Sequence, residues 1–171
     1  MKTLWRGTAP TTLILVAILA VGVSARAEEP KPTIASGGSA EHVIRLTPAE
    51  LTWAAGPPML PPGASMAVIE GSFSKPGPFT VRLRFPANYR IPPHWHPVKV
   101  TVTVISGTFN MGLGDEFYTG KGKMLPAGSI FEMPAAIHHF GWTSEETIIQ
   151  EHGVGPLSVN YLKPVHDGRH Q

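Results

Sequence analysis

Short apolar segments separated by turn residues make up most of the chain after about residue 42. The segments are rich in Val, Ile, Thr and Phe, and Gly or Pro lies between them, as in short strands joined by tight turns. The sequence predicts strands at residues 66–70, 79–85, 99–105, 108–113, 129–133, 147–152 and 157–162. The pattern therefore indicates an all-β domain, in the form of a sandwich, a barrel or a jelly roll.

One short helix is predicted, at residues 47–54. Thr47 suits the cap position, Pro48 suits the first helical position, and Glu50 lies three residues after the cap. Four prolines follow and end the helix, because a proline inside a helix removes a backbone hydrogen bond. They are Pro57, Pro58, Pro61 and Pro62.

The first 27 residues have the pattern of a signal peptide. A basic start precedes an apolar run at residues 13–23 and the sequence Ala-Arg-Ala at residues 25–27, which is typical of a cleavage site. The apolar run is shorter than the roughly 20 residues that a membrane-spanning helix needs. We therefore expect cleavage after Ala27 and a periplasmic or secreted protein with no membrane attachment. A flexible lead-in at residues 28–46, one folded domain at 47–164 and a short tail at 165–171 are expected.

Charge and cysteine content exclude several classes of function. Removal of the signal peptide takes away three basic residues and no acidic one, so the formal net charge falls from +2 to −1. Nucleic-acid binding therefore has no electrostatic support. The chain contains no cysteine, which rules out thiolate catalysis and cysteine-ligated zinc. A small-molecule ligand or substrate is the expected partner.

Two histidines separated by one residue precede a run of β-branched residues. Side chains alternate along a strand, so His94 and His96 share one face and Trp95 points to the other. The histidine face continues through valines and the opposite face is polar, so the histidine face is predicted to be buried. The valines are Val98, Val100, Val102 and Val104, and the polar residues are Lys99, Thr101 and Thr103. Two imidazoles inside a barrel need hydrogen-bond partners or a metal ion, since unpaired buried polar groups are costly.

A second pair, His138 and His139, follows a predicted strand and a proline turn. Adjacent residues on an extended chain face opposite ways, so one of the two is a candidate third ligand and the other lies outside. Three neutral imidazoles suit Zn, Fe, Cu or Ni and leave coordination positions open for water or substrate. The predicted cofactor is therefore a divalent transition metal.

These segments resemble the two sequence motifs of the cupin superfamily. The first motif has two histidines separated by one residue and a closing glycine; the second has a glycine, a proline and a histidine. The residues in register are His94, His96 and Gly107 in the first motif, and Gly128, Pro134 and His139 in the second. The resemblance covers about residues 47–164 and is strongest to small secreted single-domain cupins. It implies a double-stranded β-helix jelly-roll barrel with metal ligands His94, His96 and His139, and a possible homodimer.

The sequence departs from these motifs at four positions. Asn88 and Ala136 replace glycines, and Thr143 replaces a closing asparagine. Val100 stands where the first motif carries a glutamate, and its parity points inward. Without that carboxylate a divalent ion keeps its full charge, which favours an anionic ligand and a preference for Zn, Cu or Fe over Mn.

Further residues are candidates for contact with a metal ligand or a substrate. Gln150 and His152 share one face of their strand, and we place them near the barrel mouth, either in contact with the site or simply packed. Glu151 is assigned to the opposite face. Aromatic residues either line a pocket around the metal or fill the core. They are Tyr89, Phe131, Phe140 and Trp142.

Three functions are compatible with these residues. The first is a metal-dependent enzyme that acts on a small organic molecule as an oxygenase, a lyase or an isomerase, and the open coordination positions favour it. The second is a non-catalytic module that binds a metal or a small ligand. The third is a vestigial barrel that holds no metal. One fold hosts many chemistries, so the predicted fold does not rank them.

Overall fold

The computed structural model describes residues 43–164. The predicted signal peptide, the lead-in up to residue 42 and the tail from residue 165 lie outside the described residues. Residues 43–46, the end of the predicted lead-in, are exposed and have no regular secondary structure. Between residues 43 and 164, no helix is long and apolar enough to cross a membrane.

The described residues form two antiparallel sheets. The strands are β1 (Ala54–Ala55), β2 (Ser65–Gly71), β3 (Gly77–Phe85), β4 (Arg90–Trp95), β5 (Val100–Ser106), β6 (Thr108–Leu113), β7 (Lys123–Pro126), β8 (Ile130–Met133), β9 (His139–Thr143), β10 (Thr147–Gly155) and β11 (Asn160–Tyr161). One sheet has the order β1-β2-β3-β10-β5-β8, and the other has the order β11-β4-β9-β6-β7. The chain passes repeatedly between the two sheets, which is the arrangement of a jelly roll. The predicted all-β jelly roll is confirmed.

The core lies between the two sheets. Along β3 every second residue is buried, which places Phe79 and Phe85 on the inner face. Phe85 belongs to the same buried cluster as Ile91 and Phe109 of the five-stranded sheet, so the inner faces of both sheets meet in it. Full burial of each large apolar side chain contributes roughly 1.5–3 kcal/mol to stability.

The predicted helix at residues 47–54 is wrong. Only Pro48–Glu50 form a short 3-10 turn, and Leu51 is already extended. The predicted cap is present, because the backbone N–H and the hydroxyl of Thr47 each donate to the Glu50 carboxylate at 2.7 Å. The turn buries no side chain, and a helix this short has little stability of its own. The chain therefore straightens and enters β1.

Strands β1, β4, β7 and β9 are missing from the sequence prediction. β4 contains Pro92 and Pro93, which argue against a strand because proline donates no backbone hydrogen bond. The pairing of β4 with β9 shifts register between Ile91 and His94, and this irregularity accommodates the prolines. The predicted strand at 157–162 shortens to β11. Residues 94–104, treated as one run in the sequence, divide into β4 and β5, which belong to different sheets.

Candidate metal centre

Three buried histidines meet inside the barrel. The possible ligand atoms of His94, His96 and His139 all lie within 4.8 Å of one another. Ring centroids are 4.1 Å apart for His94 and His139, and 5.0 Å apart for each pair that includes His96. Each of the three residues is at most 7% exposed. In the part of the chain that the structure describes, no other group of His, Cys, Asp or Glu residues is this compact.

Neighbouring strands hold the three rings in place. His94 in β4 lies directly opposite His139 in β9, and directly paired residues of an antiparallel ladder share a face. His96 follows His94 by two residues, just past the end of β4. Its carbonyl oxygen accepts a hydrogen bond of 2.9 Å from the backbone N–H of Ala136, in the turn before β9. The backbone ladder and this turn therefore fix the relative positions of the rings.

Backbone carbonyl groups determine which nitrogen of each ring carries the proton. The three Nδ1 atoms lie 2.7 to 2.9 Å from backbone carbonyl oxygens, of Pro92 for His94, of Ser158 for His96 and of Ile137 for His139. A carbonyl oxygen only accepts, so Nδ1–H is the donor in all three rings and Nε2 keeps its lone pair. Metal-binding histidines are usually oriented in this way, with the second nitrogen hydrogen-bonded to a carbonyl or a carboxylate.

Burial also keeps the three rings neutral. It lowers the pKa of His94 to about 3 and that of His139 to about 4, and it lowers the pKa of His96 as well. Neighbouring imidazoles lower the pKa of His94 and His139 further, because a positive charge on one ring opposes protonation of the next. At neutral pH the lone pairs of the three rings are therefore available to a cation.

His138 does not belong to this cluster. Its Nδ1 lies 2.7 Å from Oδ1 of Asp115 on the outer surface, and both side chains are exposed to solvent. Of the two adjacent histidines that the sequence left as alternatives, the structure thus directs His139 inward and His138 outward.

A cavity of about 60 Å³ lies between the sheets, and the three histidines form part of its wall. Since one water needs about 10–15 Å³ by the same measure, the cavity has room for roughly four to six waters or for a small molecule. The rest of the wall is mainly apolar. It includes Val81, Leu83, Val100, Val102, Phe131, Met133, Ile149 and Leu157. Val100 is 1% exposed, so its side chain lies inside the barrel as its parity predicts.

The prediction for residues 150–152 has the two strand faces reversed. Gln150 lies on the outer face, where its Oε1 accepts a 3.2 Å hydrogen bond from Nε of Arg82, and His152 is exposed. Glu151 is 8% exposed and lines the cavity, and burial raises its pKa to about 7. Sequence reasoning missed this residue, although Thr147 and Ile149, at the same parity, are also buried. That burial is visible only in the structure, because Ile148 and Ile149 are both apolar and leave no contrast in the sequence between the two faces of the strand.

The aromatic candidates divide between the cavity and the core. Phe131 lines the cavity and stacks on Phe109 at a centroid distance of 5.9 Å. Tyr89 lies in the core, where it stacks on Phe85 at 4.9 Å and donates a hydrogen bond to the carbonyl of Pro61. Phe140 and Trp142 pack with each other and with Phe117, away from the cavity wall. Of the four candidates, only Phe131 is thus in position to touch a bound molecule.

Comparisons with known proteins give structural relatives. No sequence-family model matches the chain, and no curated protein matches it in sequence. The polyketide cyclase RemF from Streptomyces resistomycificus superposes with a TM-score of 0.58 at 15% identity, over 72% of this chain and 87% of that one. An acetylacetone dioxygenase from Acinetobacter johnsonii gives 0.53 at 17% identity, over 71% and 78%. An RmlC-like cupin from Ralstonia eutropha gives 0.51 at 18% identity, over 67% and 70%. At these identities the likeness is one of fold.

Proposed function

The chain has the fold of the cupin superfamily, and from that fold we propose that it is a metal-binding cupin acting on a small organic molecule. The proposed ligands are Nε2 of His94, His96 and His139. The observation that carries the proposal is the convergence of three buried neutral imidazoles, each with Nδ1–H bonded to a backbone carbonyl. Without a metal, three lone pairs would face one another in an apolar chamber. This arrangement is unfavourable, because buried polar groups without a partner cost free energy.

The donor set fits a divalent transition metal. Neutral imidazoles suit Zn, Fe, Cu or Ni, and three of them leave positions open for a ligand. When bound, such an ion supplies Lewis-acid or redox chemistry. Val100 adds no negative charge to the three histidines, so an anionic ligand, or one whose oxygen gains negative charge, fits the open positions best.

An enzyme is the form of this function that the cavity supports best. A purely binding site needs no group that exchanges protons, yet Glu151 lines the same cavity with a pKa of about 7. Two of the similar structures are named as a polyketide cyclase and an acetylacetone dioxygenase, and both names describe enzymes of small organic molecules. We therefore favour catalysis over a non-catalytic module and over a vestigial barrel.

The proposed place of action is the periplasm or the exterior of the cell. The support is the basic start, the apolar run at residues 13–23 and the cleavage pattern ending at Ala27. Mass spectrometry of protein recovered from the periplasm of the native host would test this, with a mature N-terminus at Glu28 as the expected result. A homodimer stays a prediction from the resemblance to cupins.

Metal analysis of purified variants tests the three-histidine site. Wild-type protein loaded with Zn²⁺ and desalted should retain about one ion per chain. His139→Ala should bind Zn²⁺ at least roughly tenfold more weakly, because one of the three proposed ligands is removed. The matched control is His138→Ala, which removes the neighbouring imidazole on the outer surface and should retain the ion.

Elemental analysis and calorimetry with Zn²⁺, Fe²⁺, Cu²⁺ and Ni²⁺ give the readout, and circular dichroism checks that each variant is folded. Wild-type protein that retains none of the four ions, or equal affinities for wild type and His139→Ala, would contradict the proposal.

A further inference from the structure

Glu151 is the buried acidic residue of the cavity wall. The proposed three-histidine metal site does not include it and so does not explain its position. It lies in β10 between β3 and β5, opposite Val81 on one side and Val102 on the other. Within residues 43–164, no group donates a hydrogen bond or an opposite charge to its carboxyl, and burial is what raises its pKa. Its neighbours in the sheet are therefore apolar and leave the carboxyl facing the cavity.

The position of Glu151 is unfavourable for stability. Burial of a carboxyl group without a partner costs free energy, and an apolar residue in its place would pack against Val81 and Val102 without that cost. The equivalent positions along the same face, Thr147 and Ile149, are filled by a hydroxyl with hydrogen-bond partners and by an aliphatic side chain. An unpaired carboxyl at the third position points to a role in binding or chemistry rather than in folding.

The two sheets contribute different chemical groups to one cavity. His94 and His139 belong to the five-stranded sheet, whereas Glu151 belongs to the six-stranded sheet that faces it. Glu151 lines the cavity but is not part of the compact cluster of three imidazoles. The carboxyl is thus placed across the chamber from the proposed metal ligands, with space between them for a small molecule.

We propose that Glu151 is the acid–base residue of this cavity and that it moves a proton on a small carbonyl compound held between it and the three histidines. The inference rests on the proposed function, because the carbonyl oxygen is expected to lie towards His94, His96 and His139. The cavity of about 60 Å³ favours a small compound, and its apolar wall favours an uncharged one.

The proton transfer balances without a further reactant. The carboxylate of Glu151 takes a proton from the carbon next to the carbonyl group, and the electron pair of that C–H bond forms the double bond of an enolate. The carbonyl oxygen gains the negative charge. Glu151, now a carboxylic acid, either exchanges its proton with solvent water and returns a solvent proton to the same carbon, which gives hydrogen exchange, or returns the proton to another atom of the enolate, which gives isomerisation.

The pKa of Glu151 depends on the titratable groups that face it and on any cation bound nearby. The titratable groups that face it across the cavity are His94, His96 and His139, and they are neutral at pH 7. On its own sheet the adjacent strands present Val81 and Val102, which do not titrate. A cation bound by the histidines would lower the pKa of Glu151, so the carboxylate form needed for proton abstraction is more abundant in metal-loaded protein.

Deuterium exchange into acetone tests the proposal. Acetone is a ketone with four non-hydrogen atoms, and exchange of its protons in D₂O is followed by NMR with Zn²⁺-loaded protein. Wild type should accelerate exchange, and Glu151→Gln should reduce the acceleration about 100-fold, which is within the usual range for loss of an acid–base group. The matched control is Glu132→Gln, which changes an exposed glutamate paired with Lys99 and should leave the rate unchanged.

Two further readouts separate this proposal from the metal site and from a structural role. The Zn²⁺ content of Glu151→Gln should equal that of wild type, and the wild-type exchange rate should fall at low pH as the carboxylate is protonated. Infrared spectra of metal-free wild type should show a carboxylic C=O band that is lost on titration around pH 7 and is missing in Glu151→Gln.

Failure of this inference is distinguishable from failure of the proposed function. Equal exchange by wild type and Glu151→Gln, or no acceleration by metal-loaded wild type, overturns the acid–base role while the three-histidine site stands. Loss of Zn²⁺ in Glu151→Gln also overturns it, because Glu151 would then be a ligand. Wild-type protein that binds no metal contradicts the proposed function, and the infrared titration still reports directly on Glu151.

Discussion

At the scale of a single residue, Val100 determines the charge of the proposed metal site. It lies in the cavity wall at the position where the first cupin motif carries a glutamate. An aliphatic side chain neither coordinates a cation nor neutralises its charge, and it lowers the local dielectric constant. A bound ion would therefore attract a negatively charged ligand more strongly than it would beside a carboxylate. Glu151 places a carboxyl in the same cavity from another strand, but outside the cluster of histidines. The carboxyl of this cavity wall is therefore not among the proposed metal ligands.

A glutamate at position 100 should restore affinity for a hard cation. We predict that Val100→Glu tightens Mn²⁺ binding by roughly tenfold or more, because Mn²⁺ prefers oxygen ligands to imidazole nitrogen. Isothermal calorimetry with Mn²⁺ measures the change. Val100→Gln is the matched control, since it has nearly the same shape without the charge, and it should give a much smaller gain. Equal Mn²⁺ affinities for wild type and Val100→Glu would contradict the prediction.

The turn between β8 and β9 determines, at the scale of an element, where His139 lies. Its Ala136 has φ of +63°, in the left-handed region, and donates its backbone N–H to the carbonyl of His96. The cupin motif carries a glycine at this position, and the same holds at Asn88, which has φ of +62°. Both departures from the motif therefore keep the backbone conformation that the glycine would allow, at some energetic cost.

A glycine in that turn should stabilise the protein. We predict that Ala136→Gly raises the free energy of unfolding by up to about 1 kcal/mol, since the strain of alanine at positive φ exceeds the extra entropy of the unfolded glycine chain. Urea denaturation of metal-free protein gives the measurement. Ala135→Gly, at the preceding exposed position with ordinary φ, should instead lower stability slightly. If Ala136→Gly were destabilising to the same extent, the turn would not be under the strain proposed.

Packing of the two sheets against each other creates the environment of the site at the scale of the whole molecule. The inner faces supply a largely apolar chamber, and burial in it shifts the pKa of the histidines down and that of Glu151 up. Both shifts favour the neutral form of each group, as expected where water is excluded. The same burial that makes these groups useful makes them unfavourable for folding.

The raised pKa of Glu151 should give metal-free protein a pH-dependent stability. Its folded pKa of about 7 exceeds the ordinary glutamate pKa of 4.5, so between these values the folded state holds a proton that the unfolded state has released. The stability contribution of this carboxyl is therefore fully present below pH 4.5 and lost as pH rises through 7. The loss is on the order of 3 kcal/mol, at about 1.4 kcal/mol per pKa unit.

Comparison with Glu151→Gln isolates this contribution from that of the histidines, which are common to both proteins. Urea denaturation in EDTA across this pH range should show wild type losing stability relative to Glu151→Gln as pH rises. A difference between the two proteins that does not change with pH would mean that Glu151 titrates at an ordinary value in the folded state.

The sequence by itself determined the local features of the protein. Alternation over two residues is a property of the extended backbone, so the shared face of His94 and His96 and the inward direction of Val100 followed from spacing. Dense β-branched residues and turn residues located β2, β3, β5, β6, β8 and most of β10. The two motifs that resemble those of cupins related His139 to the first pair, although they lie far apart in the chain.

The tertiary structure decided what depends on pairing between distant segments. Ile148 and Ile149 are both apolar, so the sequence of β10 offers no contrast between its faces, and only its pairing with β3 and β5 directs Glu151 inward. Likewise, the backbone carbonyls of Pro92, Ser158 and Ile137 orient the imidazoles, and the carbonyl of Ser158 is reached by His96 from 62 residues away. A strand face is fixed by its neighbours when its own hydrophobic pattern is ambiguous, and neighbours in a sheet are chosen by the fold as a whole.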